Sequence, residues 1–191
     1  MEPVKKELRA ECRKRSAALS REYRESAGAA IRERVLSSPE YRQAGTIFIY
    51  VSMETEPDTL SLIDQALADG KRVFSPRCGK KPFMEAAEIK SRAELRPGKM
   101  GIPAPGTEAM AIRTSQIDLA LIPCVAAGED CSRLGHGAGY YDAFLKNTEM
   151  KKICLCFDSL VFPSLPMEDT DVWMDRVVTE SRTIWRGEKT K

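Results

Sequence analysis

Histidine is nearly absent from this sequence: His136 stands alone among 191 residues. Zinc sites built on paired histidines and a Ser-His-Asp triad both lose support, because no second histidine and no recognisable nucleophile accompany it. Long apolar runs are missing too, and the opening MEPVKKELRAECRKR lacks the hydrophobic stretch of a signal peptide. The expectation is a cytoplasmic protein without a membrane partner. The six cysteines, Cys12, Cys78, Cys124, Cys131, Cys154 and Cys156, show no CxxC spacing, which points to reduced thiols rather than a disulfide framework. Cys154 and Cys156 share one face of a predicted strand and leave a thiol-metal site as an alternative.

Neither sign of charge is in excess. Lys and Arg number 30 against 28 Asp and Glu, a formal net charge of +2, too little to argue for a nucleic-acid partner. The surplus sits in residues 1–45, with 11 basic against 7 acidic side chains. Tyr23 is the sole aromatic before Tyr41, so these basic segments lack stacking platforms for bases. Repeats, low-complexity tracts and linkers are also missing, which leaves one domain spanning 1–191. Nothing in the sequence fixes an oligomeric state.

What is present alternates between helical and strand patterns. Val4, Leu8, Cys12 and Leu19 recur at helical spacing, and Ser20 reads as the N-cap of a second helix to about Leu36, closed by SSPE. TIFIYVSM, 46–53, is the continuous β-branched and aromatic run of a strand buried on both faces. TLSLIDQALADG follows as a helix from Thr59 to Gly70, and KRVFSPRC as the next strand. MEAAEI is a candidate strand, IDLALIPCVA (117–126) a further buried strand, then a short helix from Tyr140 to Lys146, KKICLCF as a strand and DRVVTE as a late one. The pattern predicts an α/β fold: three layers, a mainly parallel sheet and helices on both faces. In such sheets ligands collect beyond the carboxyl ends of the strands.

RLGHGAGYYD, 133–142, follows a buried strand at that end. Three glycines let backbone N–H groups approach a bulky anion, Arg133 offers a charged fork, and Asp142 is an acid within reach of a phosphate-bound metal. It is neither a Walker A loop nor a dinucleotide fingerprint. Lys5 and Arg9, four apart, share a helix face that reads on its own as a solvated basic surface or as a polyphosphate contact. METEPDT places Glu54, Glu56 and Asp58 just past the first strand, where a carboxylate can hold amide or amino N–H groups. Asp169, Asp171 and Asp175 in EDTDVWMD form a polar loop or, through one of them, join Asp142 around a metal.

These pieces, in this order, resemble the 5-formyltetrahydrofolate cyclo-ligase family: Lys5-x-x-x-Arg9, ETEPDT, VFSPRC, GIPAP, DLALIPCVA, RLGHGAGYYD and LPMEDTDVWMDRVVTE. The resemblance implies cyclisation of 5-formyltetrahydrofolate to 5,10-methenyltetrahydrofolate with ATP and Mg²⁺, the formyl oxygen taking the γ-phosphoryl group before N10 closes the ring. It further implies a nucleotide site of Lys5, Arg9, Arg133, Leu134, Gly135, His136, Gly137, Ala138, Gly139, Tyr140 and Tyr141. Of these, Arg133, His136 and Tyr140 would lie nearest the reaction. Val51, Glu56 and Tyr140 would hold the reduced folate, and Asp142 and Asp171 the Mg²⁺. Against the family pattern, Ala127, Gly128, Cys131 and His136 replace Phe, Asp, Gly and Arg, Leu160 replaces a common glutamine, and Thr170 a frequent histidine. Alternatives are a relative that binds folate or nucleotide and acts on another substrate, an RNA-binding protein using the basic helices, and a sugar-phosphate isomerase with Glu56 as base.

Overall fold

TIFI, Thr46–Ile49, forms strand β1 at the centre of the computed structural model, with Ile47, Phe48 and Ile49 fully buried. The structure describes residues 2–187, so both ends of the expected 1–191 domain lie outside the described residues. The other strands of the main sheet are β2 (Arg72–Cys78), β3 (Met84–Ile89), β4 (Ala111–Ile112), β5 (Leu119–Pro123), β6 (Lys151–Leu155), β7 (Arg176–Val178) and β8 (Thr183–Trp185). Their order is β8-β7-β6-β5-β1-β2-β3-β4. The five inner strands run parallel, with Ile47 of β1 in register with Val73 of β2 and Leu119 of β5. Both margins are antiparallel, through β3 and β4 on one side and β8 on the other. The expected mainly parallel α/β sheet is what forms.

Five α-helices accompany the described strands: α1 (Glu2–Ala18), α2 (Arg21–Ser37), α3 (Pro39–Gln43), α4 (Leu60–Ala68) and α5 (Tyr140–Leu145). From β1 the chain passes through α4 to β2, whereas from β5 it passes through α5 to β6 in the opposite direction. Right-handed crossovers then put α4 and α5 on opposite faces. Phe48 marks the α5 face: its ring stacks on Phe144 at 4.7 Å and meets Tyr141 edge-on at 6.4 Å. Since neighbouring β1 and β5 send their crossovers apart, a crevice opens beyond their carboxyl ends.

Several elements differ from the sequence expectation, each for a local reason. Strand β1 stops at Ile49 instead of continuing to Met53, because the next residues bond to the turn before α4. The Tyr50 hydroxyl donates to the Pro57 carbonyl, and Thr59 Oγ1 donates to the Tyr50 carbonyl. Thr59 therefore does not cap α4; the Asp58 carboxylate accepts from the N–H groups of Leu60 and Ser61 instead. The run 117–126 breaks after Pro123. Val125 N–H turns to the Leu134 carbonyl at 2.7 Å, and Ala126–Gly128 joins Arg133–Leu134 and Val161–Phe162 in a small separate sheet. Ser20 caps α2 as expected, while Ser38 ends α2 and also caps the unexpected α3 through Tyr41 N–H.

The first helix is rotated relative to its apolar reading. Val4 is 56% exposed, whereas Lys5, Cys12 and Ser16 are buried. A lysine inside and a valine outside signal that this helix faces something polar.

The stacked ring at the sheet centre makes Phe48→Ala the most damaging truncation of the α5 face. It should lower the unfolding free energy by about 3–5 kcal/mol in urea titrations.

Candidate active site

The small sheet folds Arg133 under the glycine loop, because Arg133–Leu134 pairs antiparallel with Ala126–Ala127 just past the end of β5. Its Nη1 donates to the Pro123 carbonyl at 3.3 Å, and its Nη2 to Asp142 Oδ1 at 2.8 Å. The guanidinium also sits 5.7 Å from the Tyr141 ring centre. Burial by itself lowers its pKa, but the Asp142 carboxylate, together with neighbouring thiols, makes the net shift upward. The side chain is 2% exposed, yet its Nε–H has no partner. A buried donor left open costs about 1–3 kcal/mol.

The loop itself is held by α1. Arg9 Nε donates to the Gly135 carbonyl at 2.9 Å and Arg13 Nη2 to the His136 carbonyl at 3.2 Å. A Cβ on Gly135 would lie 2.7 Å from Arg133 Nη1, and Gly137 adopts φ +93° beside the Arg9 guanidinium. Gly139, at φ +74°, turns the chain into α5. These glycines are thus required by two arginines and a helix start.

Lys5 pairs with Asp171 and lies 3.4 Å from Glu168. Asp171 also accepts the Glu168 N–H at 2.7 Å. Together Lys5, Arg9, Arg133, Leu134, Gly135, Gly137, Gly139, Asp142 and Asp171 line one cleft of about 350 Å³, with exposed Thr170 at its rim. The reading of Lys5 as part of a solvated surface is thereby corrected: only 3% of the residue is exposed. Glu2, Pro82, Lys146 and Glu168 also line the cleft and had no clear sequence signal, apart from the position of Glu168 three residues before Asp171.

Six other candidates lie elsewhere. His136 and Glu56 line a second, smaller pocket of about 60 Å³ together with Arg13, and their side chains meet at 3.0 Å from Nε2 to Oε1. The imidazole faces this pocket, whereas Gly135 and Gly137 on either side of it line the cleft. Val51 is buried in the coil after β1, and the Tyr140 hydroxyl reaches the Gly79 carbonyl at 3.4 Å. Tyr141 packs towards Phe48, and Ala138 lies between the two turning glycines. The METEPDT acids separate by role, with Glu54 pairing with Arg24 and Asp58 capping α4, so that only Glu56 is buried. Asp175 holds the Lys152 N–H at 2.7 Å, and Asp169 is exposed.

Burial pushes Cys12 up and Cys154 well above the ordinary thiol range. Among the described residues no group of three or more His, Cys, Asp or Glu side chains is arranged to hold a metal ion, which withdraws support from a Cys154–Cys156 centre.

The doubly wound sheet thus carries a buried arginine and a glycine loop at its switch point. The chain belongs to the 5-formyltetrahydrofolate cyclo-ligase family, whose model matches residues 1–180. It is 31% identical over 190 residues to the mouse (Mus musculus) 5-formyltetrahydrofolate cyclo-ligase, covering 93% of this chain and 94% of the relative. The Escherichia coli K12 protein of the same name is 30% identical over 182 residues, covering 91% and 98%. The solved 5,10-methenyltetrahydrofolate synthetase of Aquifex aeolicus superposes with a TM-score of 0.87 at 26% identity, covering 98% of this chain and 95% of that one. Membership makes the chain an enzyme, a ring-forming ligase of folate chemistry.

The close approach at Gly135 gives a direct test of the cleft. Gly135→Ala should displace the Arg133 fork and weaken binding of inorganic triphosphate by calorimetry roughly tenfold, about 1.4 kcal/mol, while the thermal midpoint moves little.

Proposed function

We propose that the chain closes 5-formyltetrahydrofolate to 5,10-methenyltetrahydrofolate with ATP and Mg²⁺, as a single domain in the cytoplasm. The observation that carries the nucleotide part is the buried Arg133, which lines the cleft beneath the glycine loop. Phosphate oxygens are the acceptors such a guanidinium takes best. Asp142 and Asp171 line the same cleft and offer the oxygen ligands that Mg²⁺ takes one or two at a time, with phosphate completing its shell. Bound ATP supplies the phosphoryl group that makes the formyl oxygen a leaving group.

The chain's own contribution is positioning and charge. Arg133 and Lys5 place two cations in the lining of the cleft, each already paired with a carboxylate. Gly135 keeps Cβ bulk away from the Arg133 fork, and Arg9 fixes the loop by its carbonyl. Glu56, buried beside the loop, is the acceptor for ring N–H donors of the folate. No protein nucleophile is needed. Six free cysteines suit a reducing compartment.

Purified protein given MgATP and 5-formyltetrahydrofolate should generate the methenyl chromophore, and a folded protein that yields none would overturn this reading. Arg133→Lys keeps the charge but loses the fork and the Nε–H. It should lower kcat/KM for ATP roughly 100-fold, about 2.7 kcal/mol of transition-state stabilisation. Asp171→Asn should raise the Mg²⁺ concentration needed for half-maximal rate, which a metal titration measures.

A further inference from the structure

Glu56 is the one carboxylate among the residues lining the small pocket, and it is not free. Its Oε2 accepts the Met53 N–H at 2.8 Å, within the turn that follows β1. That leaves Oε1, which faces His136 Nε2 at 3.0 Å. Since a carboxylate oxygen only accepts, Nε2 carries the proton of this bond. Both oxygens of the acid are thus occupied by the chain's own donors, and a pocket of about 60 Å³ has no room for a bicyclic ring.

The two partners differ in freedom. The Glu56 side chain is 7% exposed and tied to the backbone, whereas that of His136 is 33% exposed. The backbone at His136 is itself pinned, its carbonyl by Arg13 and the preceding one by Arg9. What can move is therefore the imidazole, by rotation about its side-chain bonds with the loop left in place.

We infer that His136 is a displaceable plug on Glu56: its imidazole fills Oε1 and the pocket mouth, and swings out when the ring N–H donors of a folate take its place. The inference rests on the reading of Glu56 as the folate acceptor. It makes His136 a specificity-determining residue, because a ligand must offer a donor at least as good as the imidazole N–H to open the pocket. A pteridine lacking its ring amino and amide donors leaves the plug closed.

Calorimetric binding of 5-formyltetrahydrofolate to the whole protein tests this, with thermal melting as the folding control. His136→Ala and His136→Ser, whose short side chains do not reach Oε1, should each bind the folate roughly tenfold more tightly, equivalent to about 1.4 kcal/mol. His136→Gln, which keeps an N–H donor, should stay close to wild type. Adding His136→Ala to Glu56→Gln should change the affinity much less than adding it to wild type, which a purely structural role for His136 would not produce. Equal or weaker folate binding by both short variants, with wild type still binding, overturns the plug alone. If neither wild type nor either variant binds the folate, the reading of Glu56 fails and the plug fails with it.

Discussion

A guanidinium cannot stay ionised inside a protein without a partner, and Arg133 is buried at the carboxyl end of β5. Its pairing with Asp142 organises most of the site. Asp142 belongs to the first turn of α5, so the ion pair ties the small sheet to that helix. Phe144 of the same helix stacks on Phe48 in β1, which carries the constraint to the sheet centre. Asp142 Oδ1 also accepts the Val172 N–H at 3.3 Å, drawing in the segment whose Asp171 meets Lys5 of α1. From β5 to the first helix, each link is a charge that needs a partner.

Helix α1 consequently serves two pockets with one face. Lys5 and Arg9 line the cleft, and Arg13, Cys12 and Ser16 line the smaller pocket. Ser16 Oγ donates to the Thr55 carbonyl at 2.6 Å, next to Glu56. Between the pockets runs the glycine loop, its carbonyls at 135 and 136 turned towards the helix.

The sheet was legible in the sequence because its inner strands are buried on both faces and read as unbroken apolar runs. Where those runs end was not legible. TIFIYVSM continues past the strand because Tyr50 and Val51 stay buried while their bonding partners change from neighbouring strands to a turn. The basic cleft was half visible: glycine spacing and Arg133 announced it, but the burial of Lys5 was hidden by a helix whose inner stripe is polar. Periodicity counts apolar residues, so it placed Val4 inside. The direction of His136 was not available at all, since residues in an irregular loop have no face until a partner such as Glu56 selects one.

Departures from the family pattern have local structural consequences in this chain. The pattern has an aspartate at 128 and a glycine at 131, whereas this chain has Gly128, Asp130 and Cys131. Cys131 takes φ +65°, the conformation a glycine there would adopt freely. The conformation is held by its N–H to the Gly128 carbonyl and its carbonyl to Met174 N–H, around a thiol that burial pushes up to about 11. A Cβ at 128 would come within 2.3 Å of both Ser132 Oγ and Asp130 Oδ1. The position taken by Asp130 therefore requires the glycine at 128. His136 follows a similar logic. Replacing an arginine removes a fixed charge from the loop, but Arg13 reaches the carbonyl of that same residue from α1. The His136 side chain instead meets Glu56.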